Sequence, residues 1–241
     1  MRTISIGSCF SKRVAVKVAG AKLVSSVYHN RSDVLLHTLQ THGLAQRSLA
    51  DICNYLSVPA EPDDPFSPYS ILSNQSREGL GLHDLPNGIP LLQALRTSSV
   101  DLILLDNFVD LVGRLTETEV GNYFCKHERF VPPSNSRLGP RLLPDQAARN
   151  FEWIVADLIR RQPGALIVML QFPINNYPSA DRRQWGWDFR DALNLPDAVL
   201  NIPVRRVRAD GVPYHFASSE YARYARQIDD ALDGGIRFGT E

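Results

Sequence analysis

Ile4-Ser5-Ile6-Gly7-Ser8-Cys9-Phe10-Ser11 is the stretch from which the fold is read. Alternating small apolar residues run into Gly-Ser-Cys and then into the Val- and Ala-rich segment from Arg13 to Ala21, the pattern of a buried strand, a tight turn and a helix. A thiol or hydroxyl at such a junction lies beside unpaired backbone N–H groups and the positive end of the helix dipole, which favour a thiolate and can hold an oxyanion. The same residues support a plainer reading equally well. Gly7 would then make a turn, Ser8 or Ser11 would cap the helix, and Cys9 would be a small core residue.

The rest of the chain repeats this strand and helix alternation. Lys22 to Tyr28 reads as a second strand and ends in His29-Asn30-Arg31-Ser32-Asp33; the same polar residues would also serve as a turn and a cap. From Asp33 to Leu56 the apolar spacing is helical, with a break near Gly43. Residues 57–90 hold Pro59, Pro62, Pro65, Pro68, Pro86 and Pro90, too many for regular structure, and are expected to form an insertion or a lid. Ile89 to Leu95 reads as a short helix. Val100 to Leu105 is the clearest buried strand, and it runs into Asp106-Asn107-Phe108-Val109-Asp110.

Gly113 to Arg141 is ambiguous, and Cys125 and His127 within it are assigned no chemistry. Asp145 to Arg161 is an amphipathic helix, closed by Pro163-Gly164 and followed by the apolar strand Ala165 to Leu170. Arg182 to Leu193 reads as a helix, Ala198 to Val204 as a last strand, and Ser218 to Leu232 as a terminal helix. Nearly all-apolar strands alternating with helices imply a parallel sheet covered on both faces. The expectation is one α/β domain over residues 1–241, a three-layer α/β/α sandwich of about five strands with flavodoxin-like order.

Composition narrows the function classes. Lys and Arg total 26, as do Asp and Glu, so there is no general electrostatic case for nucleic acid or an anionic membrane. Cys9, Cys53 and Cys125 are widely spaced and odd in number, matching neither a disulfide framework nor a metal pattern. A reduced compartment follows, and Met1-Arg2-Thr3 passes straight into the first strand without a signal-peptide pattern. No apolar run approaches the ~20 residues of a membrane span. A soluble cytoplasmic protein is therefore expected, with no bound cofactor or metal; its oligomeric state is not legible.

Acyl transfer by a thiol or hydroxyl requires a base within reach and donors aimed at the developing oxyanion. The candidate base is His215, read as lying in a loop before the last helix, where a side chain can lean over the sheet edge towards the first strand. As a lone residue before a helix it would equally suit a surface or capping role.

With these residues in place, the chain resembles the SGNH/GDSL hydrolase superfamily, most closely variants whose opening box is Gly-Ser-Cys-Phe-Ala/Ser. Gly7-Ser8-Cys9-Phe10-Ser11 lies over the GDSL box, which puts Cys9 at the nucleophile position and Ser8 at the aspartate position. His29-Asn30 falls at the second block and Asp106-Asn107 at the third, with Asn107 nearest the family's asparagine. His215 falls at the terminal block. Two departures stand out. The family's aspartate three residues before the histidine is replaced by Val212, leaving Asp210 as the nearest carboxylate, and the second-block glycine is absent.

The resemblance implies an acyl-transfer enzyme, an O-acyltransferase or deacylase acting on a small molecule, a carbohydrate or a glycan precursor. Cys9 and His215 would be the nucleophile and base. Asn30, Asn107 and the backbone N–H at position 9 would form the oxyanion hole, with His29 and Asp106 beside them, and an acyl-CoA would be a possible donor. Two alternatives stay open: a simple esterase using Ser8 or Cys9, and a non-catalytic binding module on the same scaffold.

Overall fold

The apolar runs form a parallel sheet because its central strands are buried on both faces and amphipathic helices between the strands cover them. The computed structural model describes residues 1–44, 48–56, 67–85, 87–97, 99–117, 123–125 and 136–234. In chain order the first elements are β1 (Arg2–Gly7), α1 (Cys9–Ala15), β2 (Lys22–Tyr28), α2 (Ser32–Gln40), α3 (Leu49–Leu56), α4 (Pro68–Ser73) and α5 (Leu91–Thr97). They are followed by β3 (Leu102–Asp106), α6 (Phe108–Val112), β4 (Leu115–Glu117), β5 (Tyr123–Cys125), β6 (Arg137–Leu138), α7 (Pro144–Arg161) and β7 (Leu166–Leu170). A 3-10 turn at Ile174–Asn176, α8 (Ala180–Ala192), β8 (Val199–Ile202), β9 (Ala209–Asp210), β10 (Val212–Phe216) and α9 (Ser218–Asp233) complete the described chain.

The main sheet has five strands in the order β2-β1-β3-β7-β8, and every neighbouring pair is parallel. Side chains alternate between its faces. Ile4, Ile6, Ile103, Leu105, Ile167 and Met169 meet residues of α2, α5 and α7 on one side. Leu102, Leu104, Leu166, Val168 and Leu170 meet α1 and α9 on the other. The three-layer sandwich of the sequence reading is therefore present. The chain leaves β1 towards β2 on one side and later returns to β3 on the other, so the strand order reverses between β1 and β3, where open α/β sheets bind ligands at the carboxyl ends. Ile6 pairs with Leu105 and Gly7 with Tyr28, which brings Ser8-Cys9, His29-Asn30 and Asp106-Asn107 to that edge.

Several elements differ from the sequence reading. The helical pattern of 33–56 is divided into α2 and α3, and Gly43 takes a left-handed φ of 80° at the break. The first helix ends at Ala15 instead of Ala21. Within 57–90, residues 57–66 and 86 lie outside the described residues, while the remainder is not irregular throughout. Pro68 occupies the first turn of α4, where its missing N–H is not needed. Residues 79–85 and 87–90 run along the edge of β2, with the Ser26 N–H donating to the Gly81 carbonyl at 2.7 Å and the Ile89 N–H to the Val24 carbonyl at 2.7 Å. The ambiguous segment contains the small antiparallel sheet β5-β4-β6. Of its two set-aside residues, Cys125 ends β5 and His127 lies outside the described residues. Among the described residues no helix is long and apolar enough to cross a membrane.

Phe10 ties the Gly7-Cys9 turn to the core. It is fully buried, and its ring meets those of Tyr224 at 5.1 Å, Phe172 at 5.7 Å and Phe216 at 5.8 Å. Truncation at such a centre removes both transfer energy and packing. Phe10→Ala is expected to lower unfolding stability by about 3–5 kcal/mol in a urea titration; a loss below about 1 kcal/mol would contradict this role.

Candidate active site

The opening turn is held in shape by Asp106, at the end of the neighbouring strand. Its carboxylate accepts from the Ser8 N–H at 2.8 Å, the Ser8 hydroxyl at 3.0 Å, the Ser11 N–H at 3.0 Å and the Phe108 N–H at 3.0 Å. Burial pushes this carboxyl up, and the donors from Ser11, Phe108 and Ser8 pull it back towards the charged form. Every partner is a donor, so the ionised carboxylate alone satisfies them all. Gly7 makes the approach possible. Its φ of +141° is strained for a side chain, and an added Cβ would lie 2.6 Å from the Asp106 carboxyl carbon. Asp106, which the sequence reading set beside the oxyanion hole, is thus engaged here as a structural clamp.

Ser8 and Cys9 are separated by the same geometry. The Ser8 hydroxyl donates to Asp106 and accepts from the Phe10 N–H at 3.1 Å, capping α1 in a buried position. A hydroxyl engaged in both directions is poorly placed to attack, which counts against Ser8 as nucleophile. Cys9 is the first residue of α1 and remains partly accessible. Its thiol is pushed up to about 11 by burial first and by the Asp106 charge second, against opposing effects of Arg13 and its own backbone N–H. The helix terminus does not win here, so the resting form at neutral pH is the thiol and not the thiolate expected from the sequence.

Asn107 is fixed by the next strand. Its Oδ1 accepts from the Phe172 N–H at 2.8 Å, which settles the orientation of the amide. Its Nδ2 donates to no protein group among the described residues, so the donor an oxyanion needs is available. Asn30 differs. Both of its Nδ2 hydrogens are engaged, by the Tyr28 carbonyl at 2.8 Å and the Asn74 carbonyl at 3.0 Å. These bonds shape the loop after β2, and the part expected of Asn30 in an oxyanion hole would require one of them to open. His29 sits at the strand end with a left-handed φ of 54°, its ring 5.6 Å from that of Tyr28.

His215 lies in β10 and not in a loop, because Gly211, with φ of 76°, turns the chain back from β9. Its flanking residues pack on the core: Tyr214 meets Phe108 at 6.0 Å, and Phe216 meets Phe172 at 5.6 Å. The imidazole is pulled down by burial and by the Arg13 charge, and raised by Asp210 in β9. Asp210 therefore acts on His215 electrostatically, and no hydrogen bond joins them among the described residues. Nor does one join the Cys9 thiol to His215. Arg13 acts on both groups.

Residues beyond the sequence reading complete the surroundings. Tyr28 is buried and pushed up by its burial, then by Cys9 and Asp106. The His83 ring packs on it at 4.3 Å, and the Lys12 ammonium stands 5.6 Å above it while pairing with Asp84 at 2.9 Å. His83 and Asp84 reach the site because Leu82 bridges to Ser26, a contact that no local pattern announces. Among the described residues no group of three or more His, Cys, Asp or Glu is arranged to hold a metal ion.

No family model matches the chain, and no curated protein matches it. Among solved structures it is similar to a carbohydrate esterase family 2 enzyme with a carbohydrate-binding domain from Corynascus thermopiles (Myceliophthora fergusii), at 12% identity and a TM-score of 0.46. The match covers 98% of this chain and 66% of that one, so the chain spans just under two thirds of that protein's length. A likeness of that degree assigns neither a family nor an activity. Fold and site on their own define an α/β protein of flavodoxin-like strand order, with the Cys9 thiol and the Asn107 amide at the switch point and His215 on the separate β9-β10 hairpin.

Asp110, on α6, provides a test of the site's foundation. It is fully buried and accepts from the Ser32 N–H at 2.8 Å, and burial raises its carboxyl to about 7. An acid raised above its unfolded value of about 4 favours folding when protonated, so this contribution is complete below pH ~4 and is lost as pH rises towards 7. Asp110→Asn keeps an oxygen acceptor without the titration. Melting temperatures should show the variant gaining on the wild type between pH 5 and pH 8; parallel curves would contradict the assignment.

Proposed function

We propose that this chain is an acyl-transfer enzyme acting on an ester or thioester, with a carbohydrate or glycan precursor as the hydroxyl partner and an acyl-CoA as a candidate donor. The observation that carries the reading is the Asn107 amide. It is anchored through Oδ1 to the Phe172 N–H, with Nδ2 uncommitted at the strand end beside the Gly7-Cys9 turn. A fixed, uncommitted donor next to a nucleophile is what stabilisation of a tetrahedral oxyanion requires.

In this reading the Cys9 sulfur attacks the acyl carbonyl carbon while His215 accepts the thiol proton. Both groups start neutral, because burial raises the thiol and lowers the imidazole, so deprotonation accompanies attack and does not precede it. The oxyanion is held by Asn107 Nδ2 and the Cys9 N–H. Collapse expels the alkoxide or CoA thiolate, which takes the proton from His215 and leaves an acyl thioester on Cys9. A sugar hydroxyl or water, deprotonated by His215, then attacks the thioester, and the departing thiolate is reprotonated. Water as acceptor makes the protein an esterase or deacylase; a sugar makes it an O-acyltransferase.

A non-catalytic binding module is the second reading, favoured by the missing hydrogen bond between Cys9 and His215. Incubation with acetyl-CoA and with p-nitrophenyl acetate, followed by peptide mass analysis, separates the two. An acetyl group on Cys9 is expected, with Asn107→Ala slowing its formation about 10²–10³-fold and Ser8→Ala acting through stability. Release that depends on an added sugar marks a transferase. The absence of Cys9 acylation with every donor would favour the binding module.

A further inference from the structure

Arg13 stands four residues after Cys9 in α1, so the two side chains occupy one face of the helix. The exposed guanidinium donates Nη1–H to the Tyr221 hydroxyl at 3.4 Å and lies 5.6 Å from the centre of its ring. Tyr221 is itself pinned, because its hydroxyl also accepts from the Phe216 N–H at 3.0 Å. Arg13 is therefore tethered to the backbone immediately after His215 and bridges the nucleophile helix to the strand of the base.

No carboxylate pairs with Arg13 among the described residues. Its neighbour Lys12 is the contrast, since that ammonium is neutralised by Asp84 at 2.9 Å. The groups that act on Arg13 most directly are Tyr221, Cys9 and Tyr28, all neutral at rest. A permanently charged, planar donor is thus held over an aromatic ring between a nucleophile and a base without a protein anion to match it. Such a group suits a carboxylate or phosphate, which it can engage through two parallel N–H bonds.

We propose that Arg13 anchors an anionic group of the molecule that reacts at Cys9, making the partner an acidic sugar or a phosphate-bearing acyl donor. This rests on the acyl-transfer reading for its biological meaning, yet it can be tested without acyl transfer. The probes are iodoacetate and iodoacetamide, which alkylate a thiol by the same displacement of iodide but differ in charge. Site-resolved mass analysis gives the rate ratio of the two reagents at Cys9, with Cys53 in α3 as internal reference. Any effect of Arg13 on the thiol itself cancels in that ratio.

Arg13→Gln should lower the iodoacetate to iodoacetamide ratio at Cys9 about three- to tenfold, the effect of removing one charge roughly a helical turn away, while the ratio at Cys53 stays fixed. Arg13→Lys should restore most of the preference. A ratio in Arg13→Gln equal to that of the wild type would overturn the proposal. The source of the anion is read from protection of wild-type Cys9 against iodoacetamide: glucuronate points to an acidic sugar and inorganic phosphate to the donor, whereas protection by neither counts against the anchor. Failure here leaves Cys9 acylation intact as a finding, and failure of acylation leaves the alkylation ratio readable.

Discussion

The buried carboxylate of Asp106 joins the ends of two parallel strands by accepting from the backbone of Ser8, Ser11 and Phe108 and from the Ser8 hydroxyl. A charge taken out of water is tolerated only when its hydrogen-bonding capacity is met, and here the donors come from residues that must turn sharply to supply them. Gly7 permits the approach because a side chain there would collide with the carboxyl. The consequences spread outward. Ser8 is committed to capping and Cys9 is placed at the head of α1. Asn107, next in sequence to the clamp, is set beside both and oriented by Phe172.

The electrostatics of the edge follow from burial more than from the helix end. Cys9 is raised to about 11 and His215 is lowered, so the thiol and the imidazole, the nucleophile and base of the proposed reaction, are both neutral at rest. That arrangement suits proton transfer in concert with attack, as with a serine hydroxyl, better than a preformed thiolate. Arg13 opposes the burial effect at Cys9 and reinforces it at His215. It is also exposed, whereas the neighbouring Lys12 is paired with Asp84.

Much of the architecture was legible because parallel strands buried on both faces announce themselves as apolar runs. Ile4-Ser5-Ile6, Leu102 to Leu105 and Leu166 to Leu170 all lie in the sheet in the order the alternation implied. The positions of Cys9, His29 and Asn107 at one edge were legible, since strand ends collect there, whereas His215 was read as a loop residue and lies in β10. The hydrogen-bond commitments at that edge were not legible. That Asn30 gives both amide hydrogens to Tyr28 and Asn74 depends on a loop 44 residues away. His83 and Asp84 were hidden for the same reason, and the hairpin at Gly211 was missed because β9 spans only two residues.

Presentation of Cys9 by the Asp106 clamp next to a ready Asn107 donor is most directly tested by a crystal structure of the protein with Cys9 alkylated by a chloromethyl ketone. In that adduct the tethered carbonyl oxygen stands where the oxyanion would form. The expected result is that oxygen within about 2.7–3.1 Å of Asn107 Nδ2, with the four donors still on Asp106. A carbonyl oxygen turned to solvent while Asn107 Nδ2 bonds elsewhere would contradict it.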